Sequence, residues 1–128
     1  MFSMANANPD FENCFYYNIF TKNIASVNFG PDQPIAGELI TINYNVSNLP
    51  MPTTHLVYVV AAIVKDERNR DPTISNKVKV DRGLKEISTS LNLRWPSDKN
   101  QASSLVVFLL DYKFGIYDCV RFYSRTPQ

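Results

Sequence analysis

The sequence contains few of the residues from which catalytic and metal centres are usually built. It has one histidine, His55, two cysteines and four glycines. A structural zinc site usually needs four Cys or His ligands, and a phosphate-binding loop needs several glycines close together, so neither is expected. No Gly-x-Ser-x-Gly segment is present, and a structural or solvent-facing role is expected for His55. We therefore predict that the protein is not an enzyme and that it uses no cofactor or metal.

The chain also lacks a strong charge imbalance and a long apolar run. Thirteen basic and twelve acidic residues give a net charge of +1, which gives no general support for a nucleic-acid partner. The longest apolar run, Leu56 to Val64, has the length of a buried strand and is too short to cross a bilayer.

The N-terminal segment "MFSMANANPDF" has no basic start followed by an apolar stretch, so it does not have the pattern of a secretory signal. Two alternatives follow: the protein stays in the cytoplasm, or a signal has been removed from it. We expect residues 1–11 to be a flexible lead and the whole chain, 1–128, to form a single domain.

What the sequence does contain is a series of short apolar segments separated by Pro, Gly, Asn and Asp. "GELITINYNV" and "EISTSLNLRW" alternate strictly, which predicts strands with one buried face. The residues expected to face inward are Ile40, Ile42, Tyr44 and Val46 in the first strand and Ile87, Thr89, Leu91, Leu93 and Trp95 in the second.

Two further segments, Leu56 to Val64 and Leu105 to Tyr112, are apolar at nearly every position. This pattern predicts central strands that are covered on both faces, one by the core and the other by loops or a partner. Gly115 in "YKFGIY" predicts a tight hairpin. About eight strands in a chain of this length favour two packed antiparallel sheets.

Basic residues recur in "NKVKVDRGLK", where Lys77 and Lys79 share one face of a short strand. One interpretation is an edge strand that its charges protect against unwanted pairing. The other is a basic rim, formed with Arg82 and Lys85, that meets phosphate head groups or an acidic partner.

Cys14 and Cys119 stand near opposite ends of the chain. Their positions alone leave two alternatives open, a disulfide that closes a long loop or two buried free thiols. The triplet Asn45-Val46-Ser47 satisfies the glycosylation sequon, so Asn45 is a candidate site if the chain is secreted.

The order of these features resembles the ML (lipid-recognition) domain family of sterol carriers, fungal phospholipid transfer proteins and group-two mite allergens. The resemblance rests on the early cysteine in "FENC", the P-x-x-P-x-x-G spacing of Pro31, Pro34 and Gly37, the alternating strand after it, and a final hairpin ending in Cys119-Val120. Members of the family usually carry further disulfides in the middle of the chain, and this sequence has none.

The resemblance implies an immunoglobulin-like β-sandwich with a Cys14–Cys119 disulfide and a sterol, fatty acyl chain or phospholipid held between the sheets. It also implies a secreted or endolysosomal protein that works with a membrane surface or a lipid-handling protein. The expected cavity wall consists of Ile40, Ile42, Tyr44, Tyr58, Val60, Ile87, Leu91, Leu93, Trp95, Phe108 and Leu110. The alternative is a sandwich with a solid core that acts as an interaction module, in adhesion or assembly.

Overall fold

Eight β-strands account for most of the residues that the computed structural model describes, which are 11–13, 25–31, 34–64, 74–96, 104–113 and 115–123. The strands are β1 (Phe11–Asn13), β2 (Ala25–Gly30), β3 (Leu39–Val46), β4 (Val57–Val64), β5 (Ile74–Lys79), β6 (Ile87–Arg94), β7 (Ser104–Asp111) and β8 (Gly115–Tyr123). The expected lead, residues 1–11, lies outside the described residues except for Phe11, which begins β1.

The strands form two antiparallel sheets that pack face to face. One has five strands in the order β1-β8-β7-β4-β5, and the other has three in the order β2-β3-β6. Their facing surfaces enclose one large apolar core. The predicted all-β, immunoglobulin-like β-sandwich of two antiparallel sheets is therefore confirmed.

The three-stranded sheet has the alternation that the sequence predicts. Along β3, Ile40, Ile42, Tyr44 and Val46 are buried, and the residues between them are exposed or half-buried. The register of β3 with β6 pairs Ile42 with Leu91, so that the apolar sides of both strands coincide. A shift of one residue would move the apolar side chains to solvent, which specifies this register strongly.

The centre of the five-stranded sheet is apolar on both sides. In β4 and β7, residues on the core face and residues on the opposite face are buried or half-buried. β5 is the edge strand beside β4, and most of its side chains are exposed. The predicted central position of β4 and β7 and the edge position of Lys77 and Lys79 are thus confirmed.

Different contacts join the margins of the two sheets. On one side, the Ala25 N–H of β2 donates to Asp118 Oδ2 of β8 at 3.0 Å, and the rings of Phe29 and Phe122 meet edge to face with centroids 5.1 Å apart. On the other side, Asn76 Nδ2 of β5 donates to the Asn92 carbonyl of β6 at 3.0 Å. Both margins therefore have specific polar contacts besides apolar packing.

The β7–β8 hairpin is organised by a buried carboxylate. Asp111 Oδ2 accepts hydrogen bonds from Thr54 Oγ1 at 2.8 Å and from the Tyr117 hydroxyl at 3.0 Å, and Oδ1 accepts from the Lys113 N–H at 2.8 Å. Gly115 follows with φ of 108°, a backbone conformation that favours glycine. Burial of Tyr117 and its hydrogen bond to Asp111 raise its pKa to about 12.

Candidate functional site

The expected cavity residues lie on two different surfaces of the sandwich. Those on or next to β3 and β6 face the core, as predicted, and they are Ile40, Ile42, Tyr44, Ile87, Leu91, Leu93 and Trp95. The residues predicted from β4 and β7 do not face the core, because Val59, Ala61, Val107 and Leu109 occupy the core positions of those strands. Tyr58, Val60, Phe108 and Leu110 therefore lie on the outer face of the five-stranded sheet, and their predicted inward position is wrong. An apolar run has no alternation from which the inner face could be identified.

The interior beside the central core residues is filled with side chains. A side chain that lined a space wide enough for water would keep some area accessible to a water-sized sphere. Ile40 and Ile42 of the three-stranded sheet are 0% exposed, and so are Val59 and Leu109 of the five-stranded sheet. The sheets consequently meet through direct packing at these positions.

One polar group in this interior has no hydrogen bond. The Tyr44 hydroxyl is buried without a partner, while Asp118 is held by the Ala25 N–H. Burial, and to a lesser degree the charge of Asp118, raise the pKa of Tyr44 well above its usual value. Tyr44 therefore stays neutral at physiological pH and acts as a large core side chain.

An open groove of about 480 Å³ lies on the outer face of the five-stranded sheet. We call it the aromatic groove. It is lined by Val60, Ser75, Asn76, Lys77, Phe108, Leu110 and Tyr112. Its apolar residues come from the doubly apolar strands, and its polar residues come from the edge strand β5. Its volume lies within the range of ligand-binding pockets, although the groove is open to solvent.

A lysine held between two tyrosines forms one wall of the groove. Lys77 Nζ donates to the Tyr112 hydroxyl at 3.0 Å and lies 4.9 Å from the ring centroid of Tyr58 and 5.2 Å from that of Tyr112. The two rings pack edge to face with centroids 5.1 Å apart. The hydrogen bond to Tyr112 raises the pKa of Lys77 above its usual value. The cation is therefore positioned by its neighbours, although Lys77 and Tyr112 are both exposed.

The four residues of the predicted basic rim do not share one element. Lys77 and Lys79 lie on the outer face of β5, where they pair with Val60 and Tyr58 of β4. Arg82 and Lys85 are exposed in the connection between β5 and β6. Only Lys77 lines the aromatic groove.

The outer face of the three-stranded sheet has a different chemistry, and we call it the polar face. Amide and hydroxyl side chains bond to one another across its strands: Thr41 Oγ1 to Asn92 Oδ1 at 2.9 Å, Asn43 Nδ2 to Asn28 Oδ1 at 3.0 Å and Ser88 Oγ to Asn45 Oδ1 at 2.7 Å. The sequon residue Asn45 is exposed there. Its modification stays a prediction.

The remaining predicted residues fall at separate places. His55 is exposed in the turn before β4. Cys119 is buried, and Cys14 lies outside the described residues. The pairing of these cysteines stays a prediction. Within the part of the chain that the structure describes, no group of three acidic, His or Cys residues is placed to hold a metal ion.

Tyr112, Ser75 and Asn76 line the groove, although the sequence pattern does not single them out. Tyr112 ends a run in which nearly every residue is apolar and therefore a candidate core residue. Its role depends on the pairing of β7 with β4 and of β4 with β5, which brings Tyr112 and Lys77 together from distant parts of the chain. The cluster of basic residues around Lys77 is the feature of the sequence that indicates a binding surface here.

No protein-family model matches this sequence, and no curated protein matches it either. The described part of the chain contains no helix that could span a membrane.

Proposed function

We propose that the protein is a β-sandwich interaction module that binds a partner protein through the aromatic groove. The observation that carries this proposal is the position of the groove: apolar and aromatic side chains face outward from the centre of the five-stranded sheet, while the interior is packed. Protein interfaces commonly have such an apolar, aromatic centre and a polar rim. Ser75, Asn76 and Lys77 supply the polar rim on the β5 side.

The second support is the contrast with ordinary solvated sheet faces. An antiparallel sheet that faces water usually carries polar residues on that side, as β3 and β6 do here. β4 and β7 instead place Val60, Phe108 and Leu110 half-buried beside the exposed Tyr112. An apolar surface that is left partly exposed in this way is a candidate interaction site.

The family resemblance favours a different function, a lipid carrier with its ligand between the sheets. That function needs space next to Ile40, Ile42 and Leu109, and the packing of these residues gives it no support. A lipid ligand therefore enters the test below as a competing outcome.

Site-specific photocrosslinking tests the proposal. In one variant, benzoylphenylalanine replaces Tyr112 in the groove. In the control variant it replaces Ser90, which is exposed on the polar face. After irradiation of cells that normally make the protein, we expect a protein adduct from position 112 and none from position 90. Adducts with lipid only, equal adducts from both positions, or no adduct from position 112 would each contradict the proposal.

We also keep the Cys14–Cys119 disulfide and, with it, an extracellular or endolysosomal location as proposals. β1 ends at Asn13, which pairs with Val120 of β8. Cys14 follows Asn13 in the chain and Cys119 precedes Val120, so an antiparallel register continued by one residue would bring the two cysteines opposite each other. Intact-mass measurement without reductant should show a loss of two hydrogens relative to the reduced chain. The mass of two free thiols in protein from its native source would exclude the bond.

A further inference from the structure

We infer that the partner segment held in the aromatic groove is acidic, with at least one large apolar side chain among its carboxylates. This inference rests on the proposed function and specifies the chemistry of its partner. It follows from the charges on the outer face of the five-stranded sheet, from the position of Lys77, and from the hydrogen bonds that Asn76 makes at the β5 edge.

The charged side chains that β4, β5, β7 and β8 place on this outer face have one sign. Strand alternation and register place Lys77, Lys79 and Arg121 there, and place no carboxylate there among the described residues of β4, β5, β7 and β8. Arg121 is buried at the far half of the sheet, whereas Lys77 and Lys79 are exposed. Asp118 faces the core, where Ala25 donates to it. Electrostatic complementarity therefore favours a negatively charged partner.

Lys77 is positioned as a recognition group. Its ammonium lies over two tyrosine rings and uses one of its three N–H donors for Tyr112, which leaves donors for an incoming carboxylate. Because the tyrosines already restrain the lysine, less side-chain freedom is lost when a partner binds. The adjacent Val60, Phe108 and Leu110 provide the surface for an apolar side chain.

The same charges disfavour a second copy of this chain on the groove. A symmetric contact centred on the groove would place Lys77 and Lys79 of both protomers in one interface. Addition of a strand to the β5 edge is also disfavoured, because the Lys77 N–H donates to Asn76 Oδ1 at 2.9 Å and Asn76 also reaches Asn92 of β6. The partner segment is therefore expected to lie across the sheet face.

A selection of random twelve-residue peptides on the immobilised full chain tests the inference, with Y112A as the counter-selection protein. Tyr112 is exposed in a turn, so this variant is expected to fold, and its thermal melting is compared with that of the original protein. We expect enriched peptides to carry a net negative charge and at least one aromatic or large aliphatic residue.

Affinities of a synthetic peptide of the enriched consensus then separate the charge from the groove. We expect K77E to weaken binding about tenfold or more, and K85E, which makes the same charge change in the β5–β6 connection, to change it less than about twofold. Equal weakening by both variants overturns the inference, because it would reflect net charge alone.

The two levels of the proposal fail in different ways. Enriched peptides whose binding requires Tyr112 but which are neutral or basic would contradict the acidic partner. They would remain consistent with an interaction module. A selection that yields no peptide sensitive to Y112A contradicts both. Phosphatidylglycerol vesicles serve as the competing anionic probe, and binding of vesicles without any binding of the acidic peptide also overturns the inference.

Discussion

The outer faces of the two sheets are built from the same type of backbone and have opposite surface chemistry. The polar face presents amides and hydroxyls that hydrogen-bond to one another, and these side chains are mostly exposed. The outer face of the five-stranded sheet carries apolar side chains that are fully buried near Cys119 and half-buried in the aromatic groove. The polar face is an ordinary solvated surface. The aromatic groove, in contrast, leaves apolar area that a partner could cover. This contrast is the reason for proposing the five-stranded sheet as the binding surface.

The largest expected effect on stability comes from placing a charge on the outer face of each sheet, at a buried position of one and an exposed position of the other. V106D puts a carboxylate at an outer-face position of β7 that is 1% exposed, and we expect a loss of about 3–5 kcal/mol in the free energy of unfolding. S90D on the polar face should change it by less than about 0.5 kcal/mol. Urea unfolding of both variants measures the difference, and equal effects would remove the distinction between the faces.

Hydrogen bonds on the two sheets should also differ in how much they contribute to the free energy of unfolding. D111A leaves the buried donors around the β7–β8 hairpin without their acceptor, and we expect it to cost about 3 kcal/mol. S88A removes the exposed bond to Asn45 and should cost less than about 0.5 kcal/mol. The same urea titration compares the two, and a large cost for S88A would show that the polar face is more than a solvated surface.

Alkaline pH should weaken the fold through Tyr117. Burial and the hydrogen bond to Asp111 raise its pKa to about 12 in the folded chain, whereas the pKa of an unfolded tyrosine is about 10. Between these values the unfolded state loses the proton first, so the free energy of unfolding falls as pH rises from 10 towards 12.

Urea midpoints at pH 9, 10 and 11 measure this fall, with Y117F as the control. We expect the variant to be less stable at pH 9 because its bond to Asp111 is lost, and to have a shallower slope above pH 10. Tyr44, whose pKa is also raised, accounts for part of the remaining slope. An unchanged slope in Y117F would show that this tyrosine does not carry the effect.

The smallest effect is expected behind the polar face, at Tyr44. Its hydroxyl is buried without a hydrogen-bond partner, so Y44F removes an unsatisfied polar group and keeps the ring. We expect the free energy of unfolding to stay equal or to rise by up to about 1 kcal/mol. A loss of more than about 1 kcal/mol in the urea titration would indicate that the hydroxyl has a partner, such as a buried water.

The sequence predicted the three-stranded sheet better than the five-stranded one. In β3 and β6 the strict alternation identified both the strands and their inner faces, because only one side of that sheet is apolar. In β4 and β7 the apolar run identified buried strands, but Tyr58, Val60, Phe108 and Leu110 were assigned to the wrong face. A strand covered on both sides has no periodic signal that distinguishes the two.

The sequence by itself therefore determined an all-β chain, the inward side of β3 and β6, the central position of β4 and β7, and the exposed edge at Lys77. The tertiary structure alone decided which side of the central strands meets the core and that the interior is packed beside Ile40 and Leu109. It also decided that Tyr58, Lys77 and Tyr112 meet on one surface. The physical reason is that alternation is a property of neighbouring residues, whereas packing density and groove geometry depend on contacts between strands that are distant in the chain.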